Sequence, residues 1–261
     1  MPPAGAVSGP VTDAPTGRAD GAAVFARYAF PPNELGYCGP AGAEVLLASG
    51  ATGAWRGEVE RRACLFDGAW PYLRLIADSA AIADPLDARV VRAYWLGGDL
   101  LDRVDRDAFV RVVTEQFGTQ PGVAERLTGE VVTAAGPHHG FHVLVVYPWI
   151  GLLDKGGDVA RSVLDQCRIR WGRVTAVGDR HADVAVAAIR HDDGRLYVGG
   201  EDVIRTRWAA DGHAFVEDLR PGEQVAVHWD WVCDRLGDGE VAQLATRIRA
   251  QLEAANAWLA R

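Results

Sequence analysis

The feature that most constrains this chain is a change of hydrophobic period near residue 160. Before it, apolar residues recur every three or four positions in "AGAEVLLAS" (41–49), "GEVERRACLF" (57–66), "AWPYLRLIADSA" (69–80), "PLDARVVRAYWLG" (85–97) and "DRDAFVRVVTEQFG" (105–118). That spacing predicts helices. Asp84-Pro85 and Asp105 are expected helix starts, and Gly97 and Gly118 expected stops. After residue 160 the runs are short and alternating, as in "RIRWGRVTAV", "HADVAVAAIRH", "GRLYVGG" and "EQVAVHWDW", with turn pairs at Asp193-Gly194, Asp211-Gly212 and Pro221-Gly222. Strands at this spacing predict a small antiparallel barrel. An amphipathic segment, 240–260, predicts a closing helix.

The expected class is therefore α+β. A disordered tail (1–20) precedes a mainly helical domain (21–158), and a small OB-like antiparallel β-barrel with a C-terminal helix follows (159–261). The apolar run "FHVLVVYPWIGLL" (141–153) contains Pro148 and reads as a buried strand rather than a membrane span. The aromatic residues Trp55, Trp70, Tyr72, Tyr94 and Trp95 read as helix-packing core.

A net charge of -8 argues against a nucleic-acid or anionic-membrane surface. Residues 1–20 lack the basic start and apolar block of a signal peptide, so a cytoplasmic protein is expected. The four cysteines, Cys38, Cys64, Cys167 and Cys233, are too few and scattered for a disulfide framework, and no CxxC occurs. Cys64 and Cys233, among apolar neighbours, read as small buried hydrophobes.

Cys167 and His228 mark the two ends of the strand-rich region. Cys167 stands before a short apolar stretch and then Gly172-Arg173-Val174, with the glycine five positions on. The far end has a Pro221-Gly222 turn, Val227-His228, Trp229 to Trp231 and the apolar-acidic run "DRLGDGEVAQL". This order resembles the hydrogenase assembly chaperone family (the HypC/HupF type), over about 75 residues. The resemblance implies that Cys167 and His228 hold an iron–cyanide/carbonyl fragment, Fe(CN)2CO. Thiolate and imidazole are donors suited to such iron. It also implies two partners, a hydrogenase large-subunit precursor and a maturation scaffold protein. The strands bearing "CRIRWGRV" and "VAVHWDW" are then expected to be neighbours, with Arg168, Arg170 or Arg173 easing loss of the thiol proton. Two departures stand out: 166 residues precede the cysteine, which in the family follows the initiator methionine, and Trp171 replaces a proline. The whole chain also resembles an uncharacterised group of bacterial proteins associated with [NiFe]-hydrogenase gene neighbourhoods, through "FARYAFPPNELGYCGP", "FDGAWPYL" and "CRIRWGRV". The function expected is an accessory factor in [NiFe]-hydrogenase maturation that binds and does not turn over a substrate. Packing without a ligand, with the barrel used only for docking, is the plainer alternative.

A competing reading centres on Cys38. "NELGYCGPAGAEVLL" places it before Gly39-Pro40 and ahead of a helix, where the dipole would favour a thiolate. The pattern is similar to papain-like peptidases of the bacteriocin-processing type. His138, His139 or His142, near an expected strand start in "HHGFH", would serve as base, giving a Cys–His peptidase or acyl transferase centred on Cys38 with His139 and His142 as the favoured partners. The same imidazoles could instead join Cys38 on a metal. "PHHG" also reads as a polar loop.

Overall fold

The computed structural model describes residues 20–127, 131 and 136–261. Nineteen of the twenty residues expected to form a disordered tail lie outside the described residues. The twentieth, Asp20, caps the first helix by accepting from the Ala22 amide.

Helices α1 (Gly21–Glu34), α2 (Glu44–Thr52), α3 (Arg56–Ala63), α4 (Trp70–Ser79), α5 (Ala88–Leu96), α6 (Arg106–Phe117) and α7 (Val123–Arg126) follow in order. Local chemistry sets their ends. Asp105 caps α6, and Gly97 and Gly118 stop α5 and α6, as the spacing predicts. The start of α5 is set by Asp87, whose carboxylate accepts from the Arg89 amide at 2.8 Å, rather than by Asp84-Pro85. Helix α1 is the hub: Phe25, Tyr28 and Phe30 are fully or almost fully buried against α5 and the sheet. Tyr94 and Trp95 are core residues as expected, whereas Trp55 is 65% exposed at the left-handed start of α3. Cys64, expected inside, is also exposed; Cys233 is buried.

The run 141–153 is not a strand. It folds as a short helical turn, α8 (His139–Phe141), a π-helical turn (His142–Val146) and a 3-10 turn (Pro148–Leu152), which leads into α9 (Leu153–Cys167). Phe141 and 143–146 are all buried, so the sequence shows no apolar–polar contrast from which a period could be read. The buried Arg126 guanidinium donates to the carbonyls of Val145 and Val146 at 2.7 and 2.9 Å, satisfying acceptors in this irregular turn. Helix α9 runs across residue 158, where the domain boundary was expected.

The strands are β1 (Arg170–Val177), β2 (His181–Asp192), β3 (Arg195–Arg207), β4 (Ala209–Ala210), β5 (His213–Ala214), β6 (Gln224–His228) and β7 (Trp231–Arg235). Strands β4 and β5 form a small pair of their own. The others form a mixed sheet in the order β1-β2-β3-β7-β6, and β6 pairs back onto β1 with Arg170 opposite Val227. The expected neighbours are therefore neighbours. The expectation of a wholly antiparallel sheet is corrected, because β3 and β7 run parallel, through Arg207 and Trp231. Five strands in an order that returns to its start cannot alternate direction at every step, so one like-directed pair is unavoidable.

Val174, Val184, Val186, Val225, Val227 and Val232 form a core inside the sheet. A second core joins α1, α4, α5 and α9 to Trp229, Trp231 and the last helix, α10 (Asp238–Leu259). Asn256 of α10 bonds both the amide and the carbonyl of Leu196 at 2.8 Å, and Arg92 of α5 bonds Asp234 of β7 at 2.8 Å. Among the described residues, no helix is long and apolar enough to cross a membrane.

Candidate functional site

Cys167 is the last residue of α9, three positions before β1 begins, so it closes a helix rather than opening a strand. Its position is held on both sides. The buried Arg168 guanidinium donates to Asp165 at 2.8 Å, and the same carboxylate oxygen accepts from the Ile189 amide of β2 at 2.8 Å. A buried guanidinium without that partner would cost several kcal/mol, on the order of 3–5. His228 ends β6, and the turn that follows is laced to the end of α9. The Trp229 amide donates to the Gln166 carbonyl at 2.9 Å, and Arg170 donates to the Trp229 carbonyl. Trp229 takes a left-handed backbone, φ 52°, which a non-glycine residue adopts at a cost of about 1 kcal/mol or more. These contacts bring the cysteine and the histidine together.

A third donor joins them. His139, on α8, Cys167 and His228 each offer a ligand atom, and these atoms lie within 4.8 Å of one another. The His139 and His228 rings are buried, with centroids 5.2 Å apart. His228 Nδ1 lies 2.7 Å from the Tyr28 carbonyl, which can only accept, so the ring proton is on Nδ1. His228 Nε2 is then a bare lone pair, buried and without a hydrogen-bond partner. His139 Nε2 is 2.8 Å from the Cys167 carbonyl and Nδ1 is 3.1 Å from the Tyr94 hydroxyl, which donates to the Gly68 carbonyl at 2.6 Å. Three short contacts thus share two protons, one on the phenol and one on the neutral ring.

The cluster lies in the wall of a cavity of about 430 Å³ that Cys38, His142, Tyr94 and Tyr147 also line. Burial sets the protonation states. It lowers His139 to about 4 against a weaker opposing bond to the Cys167 carbonyl, and lowers His142 to about 3, with His139 adding to the effect. Burial also lowers His228 well below the ordinary imidazole range, with His139 again contributing. The Cys167 thiol is pushed up by burial and by neighbouring Cys38, and the Trp229 indole opposes this. The cavity therefore presents neutral imidazoles and protonated thiols near pH 7.

The arginines expected to activate Cys167 are turned to other acceptors. Arg168 holds Asp165, Arg170 holds the Trp229 carbonyl, and Arg173 donates to the Gly222 carbonyl at 2.8 Å. Cys38 shares the cavity with His139 and His142. It lies in the loop between α1 and α2, well before the first residue of α2, Glu44, and burial pushes its thiol up to about 12. His139 and His142 are on helical turns, not at a strand start, and His142 Nδ1 faces the Tyr72 hydroxyl at 3.3 Å. "PHHG" is no exposed loop: His138 is buried, and its Nδ1 accepts from the Gly140 amide at 2.9 Å.

The chaperone-family resemblance pairs Cys167 with His228 but leaves out His139, which the competing reading groups with Cys38. No local pattern links His139 to the strand region, because the contact is made only when α8 packs beside the end of α9. No curated protein and no solved structure matches the chain. Residues 17–261 match the family of unknown function DUF6390, and the chain belongs to that family.

Proposed function

We propose that this protein holds a transition-metal fragment at His139, Cys167 and His228 and serves as an accessory factor in [NiFe]-hydrogenase maturation. The cargo is an iron–cyanide/carbonyl fragment, and the partners are the hydrogenase large-subunit precursor and its maturation scaffold protein. The setting is the cytoplasm. The metal comes from the donor set and the hydrogenase context from the C-terminal resemblance, in which the returning sheet and α10 correspond to the family's OB-like barrel and helix.

One observation carries the metal reading. His228 Nε2 is a buried lone pair with no partner, beside a thiol and a second imidazole, and its other ring nitrogen donates to a backbone carbonyl. Metal-bound histidines are oriented in this way. An electrophile on His139 Nε2 would also resolve the proton shortage, leaving Nδ1–H to the Tyr94 oxygen and the Tyr94 proton to Gly68. Thiolate with imidazole suits iron. Binding would displace the Cys167 proton, since a metal takes the thiolate.

The test is to purify the chain after co-expression with a hydrogenase maturation system, then measure iron and the infrared bands of bound cyanide and carbon monoxide. Both signals are expected, and both are expected to vanish in Cys167→Ala and His228→Ala while Cys64→Ser keeps them. Iron-free, folded wild-type protein would overturn the carrier reading and leave docking.

A further inference from the structure

The wall of the cavity holds more donors than the cluster uses, and one of them alters its charge. Resting on the donor set above, with a bare divalent ion in place of the neutral iron–cyanide/carbonyl fragment, we propose that Cys38 is the second sulfur ligand, so that such an ion is held by two thiolates and two imidazoles.

Charge is the first argument. A dication bound by one thiolate and two neutral imidazoles leaves one net positive charge inside the cavity. The acidic residue in the lining, Asp67, is exposed, so it offers no buried compensation. An uncompensated buried charge is among the most costly groups a fold can carry. A second thiolate brings the site to neutrality. His142, the other free-standing donor in the wall, cannot do so, because a neutral imidazole adds no charge. It is also held by the Tyr72 hydroxyl and packed on Phe117, with ring centroids 5.0 Å apart.

Placement is the second argument. Cys38 lines the same cavity as His139, Cys167 and His228, outside the set of donors that lie within 4.8 Å of one another. It rides on a non-helical loop whose Gly36 and Gly39 take φ 75° and 77°, where L side chains are disfavoured. The Asn33 amide anchors the loop from the end of α1, donating to the carbonyls of Cys38 and Pro40 at 2.8 and 2.7 Å. Tyr37 stacks on Trp229 at 4.2 Å, tying the loop to the turn after His228. The loop backbone is thus anchored to α1 and to the turn after His228, with Cys38 in the cavity lining. Ligation requires rotation of the Cys38 side chain or a small shift of the loop onto the metal, with loss of one proton from each thiol. Donor number is the third argument: two sulfurs and two nitrogens complete a tetrahedral shell of the kind that holds zinc or thiolate-bound iron.

Cobalt(II) alone, titrated into the reduced full-length protein, tests the proposal. The wild type is expected to give the visible bands of a tetrahedral ion and a near-ultraviolet thiolate charge-transfer band. In Cys38→Ser that band should fall by about half, and affinity should drop at least about tenfold, since losses beyond the ligands alone reach that size. Cys64→Ser should match the wild type. X-ray absorption on the wild-type complex supplies a reading that needs no variant: two sulfur neighbours are expected. A single sulfur, or an unchanged charge-transfer band in folded Cys38→Ser, would overturn the role of Cys38 while leaving the three-donor site standing. Failure of the wild type to bind cobalt at all would overturn both.

Discussion

His139 and His228 meet edge to face, their ring planes 77° apart, and each is steered from behind by a tyrosine. The Tyr94 hydroxyl of α5 stands at one ring and the Tyr28 carbonyl of α1 at the other. The two helices at the centre of the core therefore set how the imidazoles face the cavity.

Tyr94→Phe isolates that steering. The ring is fully buried and stacks near Tyr72 at 5.8 Å, so phenylalanine keeps the packing and removes only the hydroxyl. The expected cost is about 1–3 kcal/mol of stability, because Gly68 and His139 lose a shared partner in a buried setting. Metal affinity should fall by about 10–100-fold. Denaturant unfolding and cobalt titration on the same variant check both. Unchanged affinity would show that Tyr94 does not orient His139.

Stability should depend on pH above the range in which carboxylates titrate. Burial holds His138 at about 3, His139 at about 4 and His142 at about 3. In the unfolded chain each would return to about 6.5. Below that value the unfolded state binds protons that the native state refuses, so stability is full above about 6.5 and is lost as pH falls toward the folded values. Each histidine contributes a slope of up to about 1.4 kcal/mol per pH unit. Urea midpoints measured from pH 8 to 5 should be level at the upper end and fall steeply below about 6.5. A level profile down to pH 5.5 would show that these rings are not buried neutral.

Gly172→Ala should be severe. A Cβ there would lie 2.4 Å from the Ala185 carbonyl oxygen and 2.7 Å from Val186 Cγ1, across the β1–β2 ladder. Backbone is in the way, so relief requires separating the strands, at a cost of about 1–3 kcal/mol or more. Gly200→Ala in β3, where a Cβ would meet nothing within 4 Å, serves as the comparison. Equal midpoints for the two variants would show that β1 and β2 are not packed this closely.

What could be read from the residues depended on contrast. Asp105, Gly97 and the alternating strand runs carry local signals, and each is found in its expected role. The pairing of β1 with β6, which draws Cys167 toward His228, was legible from the order of motifs at the two ends of the strand region. His139 as the third donor was not, because Phe141 and 143–146 are uniformly buried and a uniformly apolar run has no period. Trp55 and Cys64 mislead for the opposite reason: they flank the two ends of a short helix that buries only Val59 and Ala63, and there an apolar residue can face solvent. The Tyr28 carbonyl is beyond any side-chain pattern, since a backbone acceptor carries no mark in the sequence.

Cys167 ends a helix whose next residues are pinned on both sides, and this sets the direction of traffic. A thiol near a free chain end can travel to its donor and then to its acceptor, carrying what it holds. A thiol fixed inside a wall must wait, and whatever reaches it passes a mouth that includes Gly36, Tyr37 and Leu65. Exchange at such a site would depend on passage through that mouth as well as on how tightly the donors grip. A partner that pressed on the Tyr37 loop would therefore act as a gatekeeper, changing the rate of loading and release without touching any ligand.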